Sequence, residues 1–298
     1  MGYIELKLEK NKPPVTMTLP QKVIATNSTT FQLGTSTWKG GNGIVFDATR
    51  YTAKNVLAGT CAVKFLRQLD AARVDRFRNE VRILDEVGGQ KNIAEFFGQG
   101  DLEFTDKKGH TVPVPWMGMS MGGNNFREVI HKLGVIQGNE FCDVALEMAG
   151  AISHLHEAGF IHRDIKPENF VRKAHGKGAM MIDFGIAKRV GENVAGRPLD
   201  KFTQITEFVG PANFSSPELL AYARDKTRLV DHRSDMFQFG KLLWFVATGD
   251  VSAGIPSKRR DPFGGALHSL VLDLLQDEPD ERLDDMGKVV THLQGLRR

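Results

Sequence analysis

The apolar residues of this chain pass from mainly strand-like to helical spacing at Gly122-Gly123, and that change constrains the fold more than any other feature. Before it the pattern is mainly strand-like. Gly43 to Ala48 and Thr60 to Leu66 carry β-branched and aromatic residues at strand length, with a connecting turn expected over Thr49 to Ala58. One helix interrupts, from about Ala71 to Val87, with Val74, Phe77, Val81 and Leu84 at helical spacing. A polar turn from Thr105 to His110 then joins two further strands. After the glycines the pattern is helical. Phe141, Val144, Met148, Ile152 and Leu155 share one face of a helix stopped by Gly159. A helix from near Ser234 is apolar almost all round and belongs inside a domain. The last two helices are expected over roughly Gly265 to Leu275 and Leu283 to Leu296. The expectation is an α+β, two-lobed chain: a β-rich lobe with one key helix over 31–121, then a larger, mainly helical lobe over 122–298. Residues 1–30 read as a polar lead-in with one or two short strands.

With 298 residues, 41% hydrophobic and 25% charged, the chain can bury a real core and is not disordered. A formal net charge of +3 points neither to nucleic acid nor to an anionic membrane. The basic runs Lys258-Arg259-Arg260 and Arg297-Arg298 read as solvated faces. The two cysteines, Cys61 and Cys142, lie in no metal-ligand spacing and are expected as buried, inert thiols. No stretch has the length of a membrane span, and the N-terminus lacks a signal peptide's apolar core, so a cytoplasmic location is expected.

Two runs carry chemistry: Ile161-His162-Arg163-Asp164-Ile165-Lys166-Pro167-Glu168-Asn169 and, shortly after, Asp183-Phe184-Gly185. Asp164 can orient and deprotonate a hydroxyl, and Asn169 and Asp183 are oxygen donors suited to a hard divalent cation. Asp164 and Asn169 sit five positions apart, so one loop can present both. Together the runs resemble the catalytic loop and metal-binding turn of a eukaryotic-type serine/threonine protein kinase.

That resemblance covers about Phe31 to the C-terminus and implies roles for further residues. Trp38 to Val45 looks like the loop that covers ATP phosphates, with Gly40, Gly41 and Gly43 allowing close backbone approach. Trp38 stands where the family has its first glycine, unless the alignment uses Gly34. Ala62-Val63-Lys64 matches the strand whose lysine contacts the α- and β-phosphates. Glu80 lies on the apolar face of its helix and needs a partner. Arg76, one turn away, is open as that partner; the resemblance favours Lys64. Val45 and Ala62 would sandwich the adenine, and Met119 to Met121 would form the hinge, with an apolar strand core as the rival reading. Lys166 resembles the lysine that neutralises the transferring phosphate in serine/threonine kinases. His162 and Phe184, with Leu84, would join the buried stack that links the lobes, with ATP in the cleft.

Gly210 to Glu218 looks like the end of an activation segment, with Glu218 paired to Arg282, and Asp235 matches the aspartate that supports the catalytic-loop backbone. Arg163 and Lys188 would receive a phosphate on Thr203 or Thr206. Pro211 replaces the family's threonine, and 254–264 is too short for the usual docking helix. The implied activity is ATP-dependent phosphorylation of serine or threonine on a protein substrate, with Mg2+ or Mn2+ and autophosphorylation. A small-molecule kinase and a kinase-like binding module are the alternatives. The first would not carry the Glu218–Arg282 pair, and the second would have lost one of Lys64, Glu80, Asp164, Lys166, Asn169 or Asp183. The residues name neither the substrate nor an oligomeric state.

Overall fold

A computed structural model describes residues 3–8, 13–39, 43–174, 176–190, 213–225, 230–251 and 254–297. The chain divides into two compact units, Met1–Gly89 with Ala94–Gly122, and Gln90–Ile93 with Gly123–Arg298.

The first unit holds β1 (Tyr3–Leu6), β2 (Val15–Thr18), β3 (Val23–Ala25), β4 (Thr29–Lys39), β5 (Gly43–Thr52), β6 (Leu57–Leu66), α1 (Ala71–Val87), β7 (Phe96–Asp106) and β8 (Thr111–Ser120). They form one eight-stranded sheet in the order β1-β2-β7-β8-β6-β5-β4-β3. Strand alternation sorts the side chains by face. Phe46, Val63, Phe65, Phe104, Trp116 and Phe31 fill the core on one side, with Phe46–Phe65 and Phe65–Phe104 rings edge-on at 5.7 and 5.6 Å. Each such buried ring contributes roughly 1.5–3 kcal/mol. The helix α1 starts where the Asp70 side chain accepts the Arg73 N–H, and it buries Phe77, Glu80, Val81 and Leu84.

Two expectations need correction here. Residues 1–30 are no separate lead-in: β1 to β3 belong to the sheet, because Ile4, Leu6, Met17, Leu19 and Ile24 bury their side chains in its core. The turn expected over Thr49 to Ala58 is also shorter, since β5 runs on to Thr52 and β6 begins at Leu57. Residues 90–93 pack with the second unit. Asn92 takes the Met181 N–H on its carbonyl and the Lys173 ammonium on its side chain, each at 2.8 Å.

The second unit runs β9 (Gly122–Asn125), α2 (Phe126–Leu133), α3 (Gly138–Glu157), β10 (Phe160–Ile161), β11 (Phe170–Lys173), β12 (Ala179–Met181), β13 (Lys188–Arg189), α4 (Pro217–Arg224), α5 (Arg233–Thr248), α6 (Ala266–Leu274) and α7 (Met286–Gly295). The helix α5 is buried at nearly every position, as its all-round apolar sequence requires. Gly240 lets α6 approach, since a Cβ there would lie 2.9 Å from the Leu274 Cβ. Between α5 and α6 only one short 3-10 turn, Lys258–Arg260, appears among the described residues. Both cysteines are buried free thiols, and burial pushes Cys61 up to about 11. Among the described residues no helix is long and apolar enough to cross a membrane.

Candidate active site

The candidate residues fall into two sets, one on each unit. In the first unit, Val45 stands opposite Lys64, and Lys64 opposite Met117, across β5, β6 and β8. Residues directly opposite in antiparallel strands share a face. The adjacent row on that face is Asp47, Ala62 and Met119. The sheet therefore presents Val45, Ala62, Lys64 and Met119 together, away from the phenylalanine core. Gly43 serves this face as well, since a Cβ there would press on the Lys64 stem at 3.3 Å. Gly40 and Gly41 lie outside the described residues.

Lys64 Nζ donates to both carboxylate oxygens of Glu80, at 2.7 and 2.8 Å. The Glu80 side chain is 5% exposed and that of Lys64 16%, so each charge depends on its partner far more than a surface pair does. Met119 lies buried in β8, and the Ser120 N–H is already taken by the Glu95 carbonyl at 2.9 Å. Of the expected hinge, Met121 follows the end of that strand.

In the second unit the loop between β10 and β11 carries the other set. Asp164 Oδ2 accepts from Lys166 Nζ at 2.7 Å and from Asn169 Nδ2 at 2.9 Å, while the same amide nitrogen also donates to the Asp164 carbonyl at 2.8 Å. Burial pushes the Asp164 carboxyl above its ordinary value; Lys166 opposes that shift and the negative charge of Asp183 adds to it. Burial alone would lower Lys166, but the Asp164 carboxylate outweighs it and holds the ammonium above its usual value.

The loop is clamped from α5. Asp235 Oδ2 accepts the His162 N–H at 2.8 Å and Oδ1 the Arg163 N–H at 2.7 Å, while His156 Nε2 lies 2.8 Å from Oδ2. Burial would raise Asp235, yet the His156 bond and these contacts hold it below the usual range. Gln238, one turn on, accepts the Ile165 N–H at 2.8 Å and donates to the Arg163 carbonyl at 3.1 Å. Arg163 has a φ of 68°, in the left-handed region that costs a side-chain-bearing residue roughly 1–2 kcal/mol. The clamp on both its amide and its carbonyl holds it there.

His162 is fully buried, and its Nδ1 accepts the Asp164 N–H at 3.3 Å. That bond needs an unprotonated Nδ1, and burial lowers the imidazole's pKa, so the ring is neutral and acts as a prop. It packs against Phe184 with ring centroids 5.4 Å apart.

Asp183 has a φ of 65°, and its Oδ1 accepts the Gly185 N–H at 3.3 Å. The preceding Ile182 N–H donates to the Asn169 carbonyl at 2.9 Å, which sets the backbones of the two oxygen-donor residues side by side. Among the described residues no cluster of three or more acidic, His or Cys groups can cage a metal by itself. One carboxylate and one amide oxygen suit a hard divalent cation that takes its remaining ligands from water and phosphate oxygens.

Further along, Arg282 is fully buried and grips Glu218 with Nη1 at 2.8 Å and Nη2 at 3.2 Å. Its other donors reach the carbonyls of Arg233, Gln276 and Asp277. The Arg163 guanidinium lies over the Tyr222 ring at 4.9 Å. Thr203, Thr206 and Pro211 lie outside the described residues. Sequence reasoning missed Gln238 and His156. Gln238 had a signal, a polar residue three after Asp235 in an otherwise apolar helix; His156 had none.

The sequence that builds these sites is similar to known proteins. The family model for the protein kinase domain matches residues 32–261. A probable serine/threonine-protein kinase PknB of Corynebacterium glutamicum is 32% identical over 243 residues, 82% of this chain and 34% of that protein. One of the same description from Bifidobacterium longum is 32% identical over 224 residues, 74% of this chain and 30% of that protein. The serine/threonine-protein kinase PknB of Mycobacterium leprae is 28% identical over 243 residues, 74% of this chain and 36% of its own length. The chain thus matches about a third of the length of these curated relatives. By the family match, the paired constellations and these relatives, the chain belongs to the protein kinase domain family.

Proposed function

We propose that this chain transfers the γ-phosphoryl group of ATP to serine or threonine hydroxyls of a protein. The observation that carries the reading is the Asp164 carboxylate held at 2.7 Å from Lys166 and 2.9 Å from Asn169, on a loop clamped by Asp235. The relatives named above, described as serine/threonine kinases, support the acceptor class, as does Lys166 two residues after Asp164.

In this reading Asp164 accepts the proton of the acceptor hydroxyl as its oxygen bonds to the γ-phosphorus and the bond to the ADP oxygen breaks. A carboxyl raised by burial is a stronger base than a free aspartate once it is ionised. Lys166 offers charge to the moving phosphoryl group, and Lys64, fixed by Glu80, orients the α- and β-phosphates. Asn169 and Asp183 would hold Mg2+ or Mn2+, which neutralises phosphate charge.

We place the protein in the cytoplasm, in keeping with its two free buried thiols, and assign it no nucleic-acid or membrane partner. Autophosphorylation at Thr203 or Thr206 belongs to the same proposal. The test offers γ-labelled ATP and Mg2+ with a protein acceptor, and separately with aminoglycosides and sugars. Label on serine and threonine of the protein, and none on the small molecules, is the expected result; the reverse would make this a small-molecule kinase.

A further inference from the structure

Trp38 stands where the resemblance puts the family's first glycine, and the sheet places it where a large side chain has a use. The ladder between β4 and β5 pairs Leu33 with Ala48, then jumps and resumes at Thr37 with Phe46. Counting on from Leu33 would bring Ser36 opposite Val45; the irregularity brings Trp38 there instead. Gly34 and Asp47 build this bulge. A Cβ on Gly34 would lie 2.2 Å from the Asp47 carboxylate, which accepts the Ser36 N–H at 2.8 Å. Trp38, Val45, Lys64 and Met117 thus form one cross-strand row on the face that carries the Lys64–Glu80 pair.

The other members of that row are accounted for: Met117 is buried, Lys64 is held by Glu80, and Val45 is the small, partly buried apolar residue expected over the adenine. Trp38 alone puts a large aromatic surface on this face without burying it, being 50% exposed. An indole costs free energy when left in water and gains when a flat aromatic group covers it.

We propose that Trp38 is a nucleotide-stacking residue, its indole packing on the purine of the nucleotide whose phosphates Lys64 orients. This rests on the kinase reading above and deepens it. Stacking on a base is sequence-tolerant and strong enough to set affinity. It gives this chain a base contact from the strand that leads into the phosphate loop, where a glycine gives none.

The chain's own tryptophans supply the readout. Trp116 and Trp244 are 2% and 1% exposed, so acrylamide quenching of the 298-residue chain reports mainly on Trp38. ADP with Mg2+ should change the emission saturably and shield it from acrylamide, whereas inorganic tripolyphosphate should do neither. By calorimetry Trp38→Ala should weaken ADP binding roughly ten-fold, with Trp38→Phe closer to wild type. Because the side chain is half exposed, both variants should melt like wild type. If wild type binds ADP but Trp38 quenching is unchanged, or Trp38→Ala binds as tightly or more tightly, the stacking role is overturned and the kinase reading stands. If wild type itself binds no ADP, the kinase reading falls and takes this inference with it.

Discussion

Asp235 accepts the backbone N–H of Arg163 at 2.7 Å, and Arg163 is held at a φ of 68°. One carboxylate at the start of α5 therefore fixes the strained residue beside the proposed base. Its position in the first turn also suits the positive end of the helix dipole. Asp235→Ala removes an acceptor from two buried amides and from His156. It should destabilise the protein by about 3 kcal/mol or more and cut kcat by orders of magnitude. Urea unfolding and initial rates check both.

The Lys64–Glu80 pair separates stability from catalysis. Lys64→Met should lower stability by about 3 kcal/mol, because the Glu80 charge loses the ammonium that compensates its burial. The double variant Lys64→Met/Glu80→Met should recover most of that stability, since an apolar pair suits the site, yet remain inactive. Thermal melts of wild type, both single variants and the double variant, alongside rates, resolve the two effects.

Asp164 should set the acid limb of the pH profile. Its carboxyl is raised by burial, and only the ionised form can take the acceptor's proton. Activity should therefore fall, as pH drops, at a higher pH than an ordinary aspartate would give. The sign for stability is opposite: a raised carboxyl favours the folded state at low pH and gives that contribution up as pH rises through its folded value. Lys166→Met removes the charge that holds the shift down, so the residual kcat/KM should lose its acid limb at still higher pH.

Arg282→Lys should behave as a severe variant, not a conservative one. A lysine cannot make the bidentate grip on Glu218 while reaching three carbonyls, so buried acceptors go unmet. A loss of about 3 kcal/mol or more in denaturant unfolding is expected.

The runs from His162 to Asn169 and at Asp183 made the family legible, because they pair residue types at a spacing that few other folds use, and the protein kinase domain match covers both. The Glu80 partner was legible to the level of two candidates, and the geometry chose Lys64. The β1 to β3 strands were not legible. Each is four residues or fewer, and their apolar residues alternate too briefly to outweigh the polar surroundings. The Gln238 clamp and the His156 contact depend on tertiary approach between α5 and residues more than seventy positions away. The row that holds Trp38 depends on a bulge, and a register shift leaves little trace in composition.

The central claim is that Asp164 serves as the base for phosphoryl transfer to a protein hydroxyl. Its most direct test incubates the purified chain with Mg-ATP and a protein acceptor, then maps the phosphorylated residues by mass spectrometry beside an Asp164→Ala control. Phosphoserine or phosphothreonine with wild type, and none with an Asp164→Ala variant that still binds Mg-ADP, is the result the account predicts. Equal phosphorylation by the two proteins would contradict it.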